Sequence, residues 1–394
     1  PIVPAEADLP VDPSSDPAPG YDEAQRGQPG GFVGDSDVMD TWATSSLTPQ
    51  IACGWEEDED LYARTYPMDL RPQAHDIIRT WLFSTAVRSH FEADTAPWAH
   101  CALSGWILDP DRKKMSKSKG NVVTPLDLLD QHGSDAVRYW AANGRPGTDT
   151  AFDDGQMKIG RRLAIKILNA SRFVLGFGAG EATPLAIDPA AVTNPLDRAV
   201  LDRLADLVDE ATRAFDGFDY ARALERTETW FWTFTDDHVE LVKARAYEGD
   251  EAGAESARHA LRLALSTLLR LFAPFLPFVT EEVWSWWRGG SVHRQAWPTA
   301  AELRAAAMVN GETVDSAMAG VAADALAEIR RHKTTEKRSL ATPVIACTIT
   351  DTPERLASLR PVLADVAAAA RATGIDLFEG DALSADVTLE PAAD

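Results

Sequence analysis

Between residues 195 and 287 apolar side chains recur at three- and four-residue steps, and no other feature constrains the chain so tightly. Leu201, Leu204, Leu207, Val208 and Ala211 make one stripe, and Leu261, Leu265, Leu268 and Phe272 make another. Such stripes run along one face of an α-helix and need other helices to cover them, so the segment is expected to form an antiparallel helical bundle. Its aromatic residues, among them Trp230, Phe231, Trp232, Phe234, Trp284, Trp286 and Trp287, read as core filling. The most apolar stretch, 263–279, contains Arg270, Pro274 and Pro277 and is not a membrane span.

A different pattern precedes the bundle. From 35 to 150 short apolar runs alternate with helical segments, as in an α/β sheet domain. A strand is expected over 103–108, turning at Asp109-Pro110. Thr124 and Pro125 mark a helix start and Gly133 a stop; Ser134 is read as the cap of a second helix over 135–143. Residues 157–175 form a basic amphipathic helix, and the glycines that follow are a helix stop rather than a phosphate loop. Beyond Pro298 a helix over 316–337, a strand over 344–350, a helix over 353–372 and strands over 375–378 and 386–389 compose a small α/β unit. The fold class is therefore α/β plus all-α. The expected divisions are 1–34, 35–150, 151–194, 195–305 and 306–394, the first a ribbon with seven prolines and no initiator Met.

Charge narrows the function. Against 38 Lys and Arg stand 61 Asp and Glu, a net −23, so any polyanionic partner must be met by a local basic patch. The densest patch is Asp111-Arg112-Lys113-Lys114-Met115-Ser116-Lys117-Ser118-Lys119-Gly120-Asn121, with five cations in eleven residues. Lysines there could neutralise charge developing between phosphates. Three scattered cysteines, Cys53, Cys101 and Cys347, give neither a disulfide framework nor a metal site and suit a reducing compartment.

Lys114-Met115-Ser116-Lys117-Ser118 matches the KMSKS loop of class I aminoacyl-tRNA synthetases. Other segments resemble the valyl-tRNA synthetase family: 37–46, similar to a strand entering the second half of the catalytic domain; 71–81; 133–140, the helix supporting the loop; and 271–284, part of the anticodon-binding bundle. Thr41-Trp42 favours the valine enzymes over their isoleucine and leucine relatives. The implied fold is the C-terminal half of a class I Rossmann-type catalytic domain, then the bundle and the small α/β unit. The resemblance runs from about residue 1 to 340.

The implied activity is ligation of valine to its tRNA with ATP. Lys114 and Lys117 match the catalytic lysines; Met115, Ser116 and Ser118 complete the ATP loop, with Asp76 on the ribose and Ala74 nearby, where the family commonly has glycine. Trp42, Ile77 and Trp81 match the valine pocket. Magnesium would arrive on the phosphates, without a protein metal site. Lys158, Arg162 and Lys166 share a helix face expected to meet tRNA(Val), and Arg330, Arg331 and Lys333 form a second basic stretch with the same assignment. The eight histidines include no His-x-Gly-His, so the chain looks like a C-terminal portion, inactive alone, with 1–34 as the ribbon leaving an editing insertion. The expectation is a cytoplasmic monomer bound to no membrane. The alternatives are a truncated paralogue that only binds tRNA or protein, and an isoleucine- or leucine-specific relative.

Overall fold

Short helices and one βαβ crossover make up the first part of the chain, and helices, many of them long, with two small sheets the rest. The computed structural model describes residues 1–37, 41–116, 120–177, 185–308 and 314–391. It divides into two compact units, Pro1–Gly105 and Trp106–Asp394.

In the first unit the proline-rich ribbon closes on Arg26, whose guanidinium donates to the Pro13 and Asp16 carbonyls (2.7 and 2.9 Å) and lies 4.8 Å from the Phe32 ring centroid. Helices α1 (Trp42–Ser45), α2 (Thr48–Ala52) and α3 (Glu59–Thr65) follow. The strand expected to enter here is helical from Trp42 onward. The Ser45 and Ser46 hydroxyls bond back to the Trp42 and Ala43 carbonyls, offering the backbone a local alternative to a sheet ladder. Strand β1 (Met68–Ala74) leads through a 3₁₀ turn (His75–Ile77), a π-helical turn (Ile78–Leu82) and α4 (Phe83–Ala93) to β2 (Trp98–Ser104), parallel to β1 with Met68 opposite Trp98 and Ala74 opposite Ser104.

The second unit opens with β3 (Ile107–Leu108), so the strand expected over 103–108 is in fact two, interrupted at Gly105-Trp106. Helices α5 (Pro125–His132) and α6 (Ser134–Ala142) meet at Gly133, whose φ of 86° only glycine adopts freely; Gly133, not Ser134, occupies the cap position. Strand β4 (Thr150–Ala151) pairs in parallel with β3. Helix α7 (Asp154–Gly176) packs on α6 so closely that a Cβ at Gly160 would lie 2.6 Å from the Tyr139 side chain. The bundle proper is α8 (Pro195–Asp216), α9 (Tyr220–Thr233), α10 (Val239–Glu248), α11 (Glu251–Phe272), α12 (Pro277–Ser285) and α13 (Ala300–Ala307). Every member of the two predicted stripes is buried in one core that also takes in α7.

Helix α14 (Ala317–Thr335) leads to β5 (Val344–Asp351), the centre of a three-stranded sheet. The helix expected over 353–372 is divided into α15 (Pro353–Leu359) and α16 (Leu363–Ala370) by a 3₁₀ turn at Pro361, which lacks an N–H and clashes with the preceding turn. Strands β6 (Asp376–Glu379) and β7 (Ser384–Leu389) flank β5, parallel and antiparallel. Among the described residues no helix is long and apolar enough to cross a membrane.

Candidate functional site

In open α/β sheets ligands sit beyond the carboxyl ends of parallel strands. Ala74, half-buried, ends β1; Asp76, exposed, and Ile77, half-buried, lie in the turn that follows. His75 Nδ1 is 3.2 Å from the Ser104 carbonyl, which ties this turn to the matching end of β2. Three of the predicted nucleotide and amino-acid residues therefore lie together at the carboxyl end of β1.

Trp42 and Trp81 are placed differently from each other. The Trp81 indole N–H donates to the Ser45 carbonyl (2.8 Å), its ring stacks on Trp98 at 5.6 Å, and the Arg71 guanidinium lies 4.0 Å from its centroid. These contacts leave Trp81 only 4% exposed, anchoring α1 to the crossover. Trp42 is 39% exposed and lines a groove of about 460 Å³ with Ser46, Phe83, Val87, Arg88 and Phe91.

The second unit carries the basic segment. A turn closes from Asp109 to Lys113, whose carbonyl accepts the Asp109 N–H (2.9 Å), with Arg112 at φ 62°. Lys114 then bridges back to Leu108. Its side chain is exposed, with the ammonium 4.0 Å from the Trp106 ring centroid, a cation–π contact. Met115 and Ser116 are half-buried; Lys117 and Ser118 lie outside the described residues. The buried Asp109 carboxylate accepts the Lys113 backbone N–H (2.7 Å) and the Asn121 amide (2.8 Å), and these bonds, Lys113's foremost, hold it below the usual aspartate range. Sequence reasoning took Asp109 only as a turn residue and Asn121 only as a flank of the motif. The available signal was an Asp-Pro turn at Asp109-Pro110 and a Gly-Asn exit at Gly120-Asn121 on either side of a basic run.

The predicted RNA contacts sort by their partners. On α7, Lys158 pairs with Asp154 (2.6 Å), Lys166 pairs with Asp236 (3.0 Å) and lies 5.5 Å from the Trp232 ring, and Arg162 is exposed between them. On α14, Arg330 donates to the Asp236 carbonyl (3.0 Å), and Arg331 is exposed beside Glu328. Lys333 requires correction. It is 1% exposed, with its ammonium donating to the carbonyls of Leu340 (3.0 Å) and Ala370 (2.7 Å), where the last turn of α16 offers acceptors. A lysine at the end of a basic run resembles a surface charge in sequence; here its long stem carries the charge inward to helix-end carbonyls.

Comparison with known proteins decides the family. A family described as tRNA synthetases class I (I, L, M and V) matches residues 21–153, and the anticodon-binding domain of tRNA ligase matches 197–347. The Valine--tRNA ligase of Salinispora tropica is 60% identical over 99% of this chain, and that of Thermobifida fusca is 61% identical over 100% of it. The chain belongs to the valyl-tRNA synthetase family. It spans just under half the length of these relatives, 46% and 44% respectively. A leucine member of the wider class shares the fold: the LeuRS of Agrobacterium radiobacter K84, solved with tRNA and LeuAMS, has a TM-score of 0.56 at 22% identity, over 68% of this chain and 34% of its own. The valyl-tRNA synthetase resemblance thus extends past residue 340, where sequence motifs had run out, to the end of the chain.

Proposed function

We propose that this chain is the C-terminal part of a valine–tRNA ligase, contributing half of the catalytic domain and the tRNA-binding helices. The observation that carries this reading is the identity of 60% and 61% to Valine--tRNA ligases along essentially the whole chain. In the reaction the valine carboxylate attacks the α-phosphorus of ATP, the α–β phosphoanhydride bond breaks, and pyrophosphate leaves. Valine then passes from the adenylate to the terminal ribose of tRNA(Val). No protein nucleophile is needed, and the chain's work is positioning and charge neutralisation.

In this reading Asp76 accepts the ribose hydroxyls beside Ala74, while Lys114 and Lys117, with Met115, Ser116 and Ser118, embrace the phosphates. Trp42 and Ile77 bound the valine side chain, and Trp81 acts through its anchorage of α1. The described part of the basic segment presents ammonium groups and N–H donors, a set suited to phosphate oxygens; magnesium would be held by those oxygens. The α7 cations would meet tRNA phosphates, with the bundle over 195–305 reading the anticodon. The domain divisions proposed above, a monomeric state and a cytoplasmic location accompany this reading.

Valine-dependent exchange of pyrophosphate into ATP tests it. The intact ligase should exchange with valine, and the present 394 residues alone should not. Exchange driven by isoleucine or leucine instead would reassign the pocket, and tRNA binding without exchange by the intact protein would favour a binding-only paralogue.

A further inference from the structure

Two side chains close the ends of the basic segment. The Asn121 amide oxygen accepts the Ser116 backbone N–H (3.0 Å), while its nitrogen donates to the Asp109 carboxylate (2.8 Å) and to the Lys114 carbonyl (3.3 Å). Only a group with donor and acceptor on one carbon meets all three partners. Asp109, 6% exposed, completes the clasp by accepting the Lys113 N–H at 2.7 Å. Lys114 is consequently held along its backbone, between the bridge to Leu108 and the Asn121 amide. Trp106, beside the Lys114 ammonium, is itself fixed by its backbone N–H on Asp149 (2.8 Å).

We propose that Asp109 and Asn121 are positioning residues for Lys114, a hydrogen-bonded clasp that fixes the backbone from which its ammonium reaches the polyphosphate. This rests on the reading of the segment as the phosphate-binding loop of a ligase. The Asp109 carboxylate is unsuited to touching phosphate and is already committed to two N–H groups, so its influence passes through Lys113 and Lys114. Preorganised charge stabilises a transition state because it need not be reoriented during reaction. Loosening the clasp therefore lowers kcat while sparing the binding of valine.

The test is an exchange of partners. Asn121→Asp places two carboxylates against each other. The double variant Asp109→Asn with Asn121→Asp restores a donor–acceptor pair across the same gap and keeps an acceptor for the Ser116 N–H, but leaves the Lys114 carbonyl without its donor. In the intact ligase, Asn121→Asp should lower kcat for valine-dependent exchange by about ten- to a hundredfold with the KM for valine unchanged, and the double variant should recover part of the loss, as coupled neighbours do, the bond to the Lys114 carbonyl remaining unmade. In the 394-residue chain, trypsin should cut after Lys113 and Lys114 faster in each single variant than in the double variant. Normal kcat in Asn121→Asp, or a double variant that loses the product of the two single effects, would overturn the clasp. If the intact wild-type protein shows no valine-dependent exchange, the ligase reading falls instead, and the trypsin comparison alone then decides the clasp.

Discussion

Arg245 on α10 grips Asp197 on α8 with two parallel hydrogen bonds, at 2.7 and 2.8 Å, deep in the second unit. Its Nε donates to Asp365 on α16 (2.9 Å), and the Ser256 hydroxyl from α11 donates to the same Asp197 carboxylate (2.6 Å). One guanidinium thereby ties the bundle to the C-terminal α/β unit. Burial opposes its charge, yet the bonds and charges of Asp197 and Asp365 outweigh that and hold it protonated well beyond the usual range.

Removing one partner of such a pair leaves the other buried and uncompensated. Asp197→Ala or Arg245→Met should therefore cost about 3–5 kcal/mol in urea unfolding, whereas Asp197→Leu, Arg245→Met and Asp365→Leu together, which leave no carboxylate of the triad unpaired, should recover most of it. Equal losses in the single and triple variants would show that shape, not charge pairing, holds this junction.

His238 supplies a pH dependence. It lies at the end of a π-helical turn, Phe234–His238, with neither ring nitrogen hydrogen-bonded among the described residues, and its ring centroid is 5.8 Å from that of Trp230. Burial, aided by the charge of Arg203, pushes the imidazole down to about 3 from 6.5. Below 6.5 the unfolded chain gains a proton that the folded chain refuses. The stability contribution is thus complete above that value and declines as the pH falls towards about 3. At about 1.4 kcal/mol per pH unit, stability should drop by about 2 kcal/mol between about pH 7 and 5. His238→Leu should flatten that slope and leave stability at neutral pH equal or higher, since it removes two unsatisfied polar atoms. Chemical denaturation of both proteins across this range checks the difference; parallel slopes would discharge His238 from the effect.

RNA binding should follow exposure rather than motif position. Arg162→Glu with Lys158→Glu should weaken binding to cognate and non-cognate tRNA alike and reduce the salt slope, by about two phosphate contacts at most. Lys333→Met should leave RNA affinity and salt slope unchanged while destabilising the junction of α14 with α16, whose carbonyl at Ala370 it satisfies. Filter binding across a salt series, paired with thermal unfolding, separates the two effects. A Lys333 variant that loses RNA affinity while keeping its melting temperature would return that lysine to the interface.

The periodic stripes of α8 and α11 and the run from Lys114 to Ser118 were legible in sequence, the former because helix periodicity is local and the latter because the motif is long. The breaks at Gly105-Trp106 and Pro361 lay in the sequence too, but whether such residues end an element depends on what the chain packs against next. Three outcomes belonged to tertiary structure alone. Trp81 is withdrawn from solvent by Ser45, Arg71 and Trp98. Lys333 turns inward because a helix end two helices later presents a carbonyl. Asp109 meets Asn121 across twelve residues because a turn brings them within 2.8 Å. Sequence alone determined the helical character of the periodic segments, since neighbouring residues set it; the partners of a polar side chain were decided only when folding brought distant donors and acceptors within hydrogen-bonding distance.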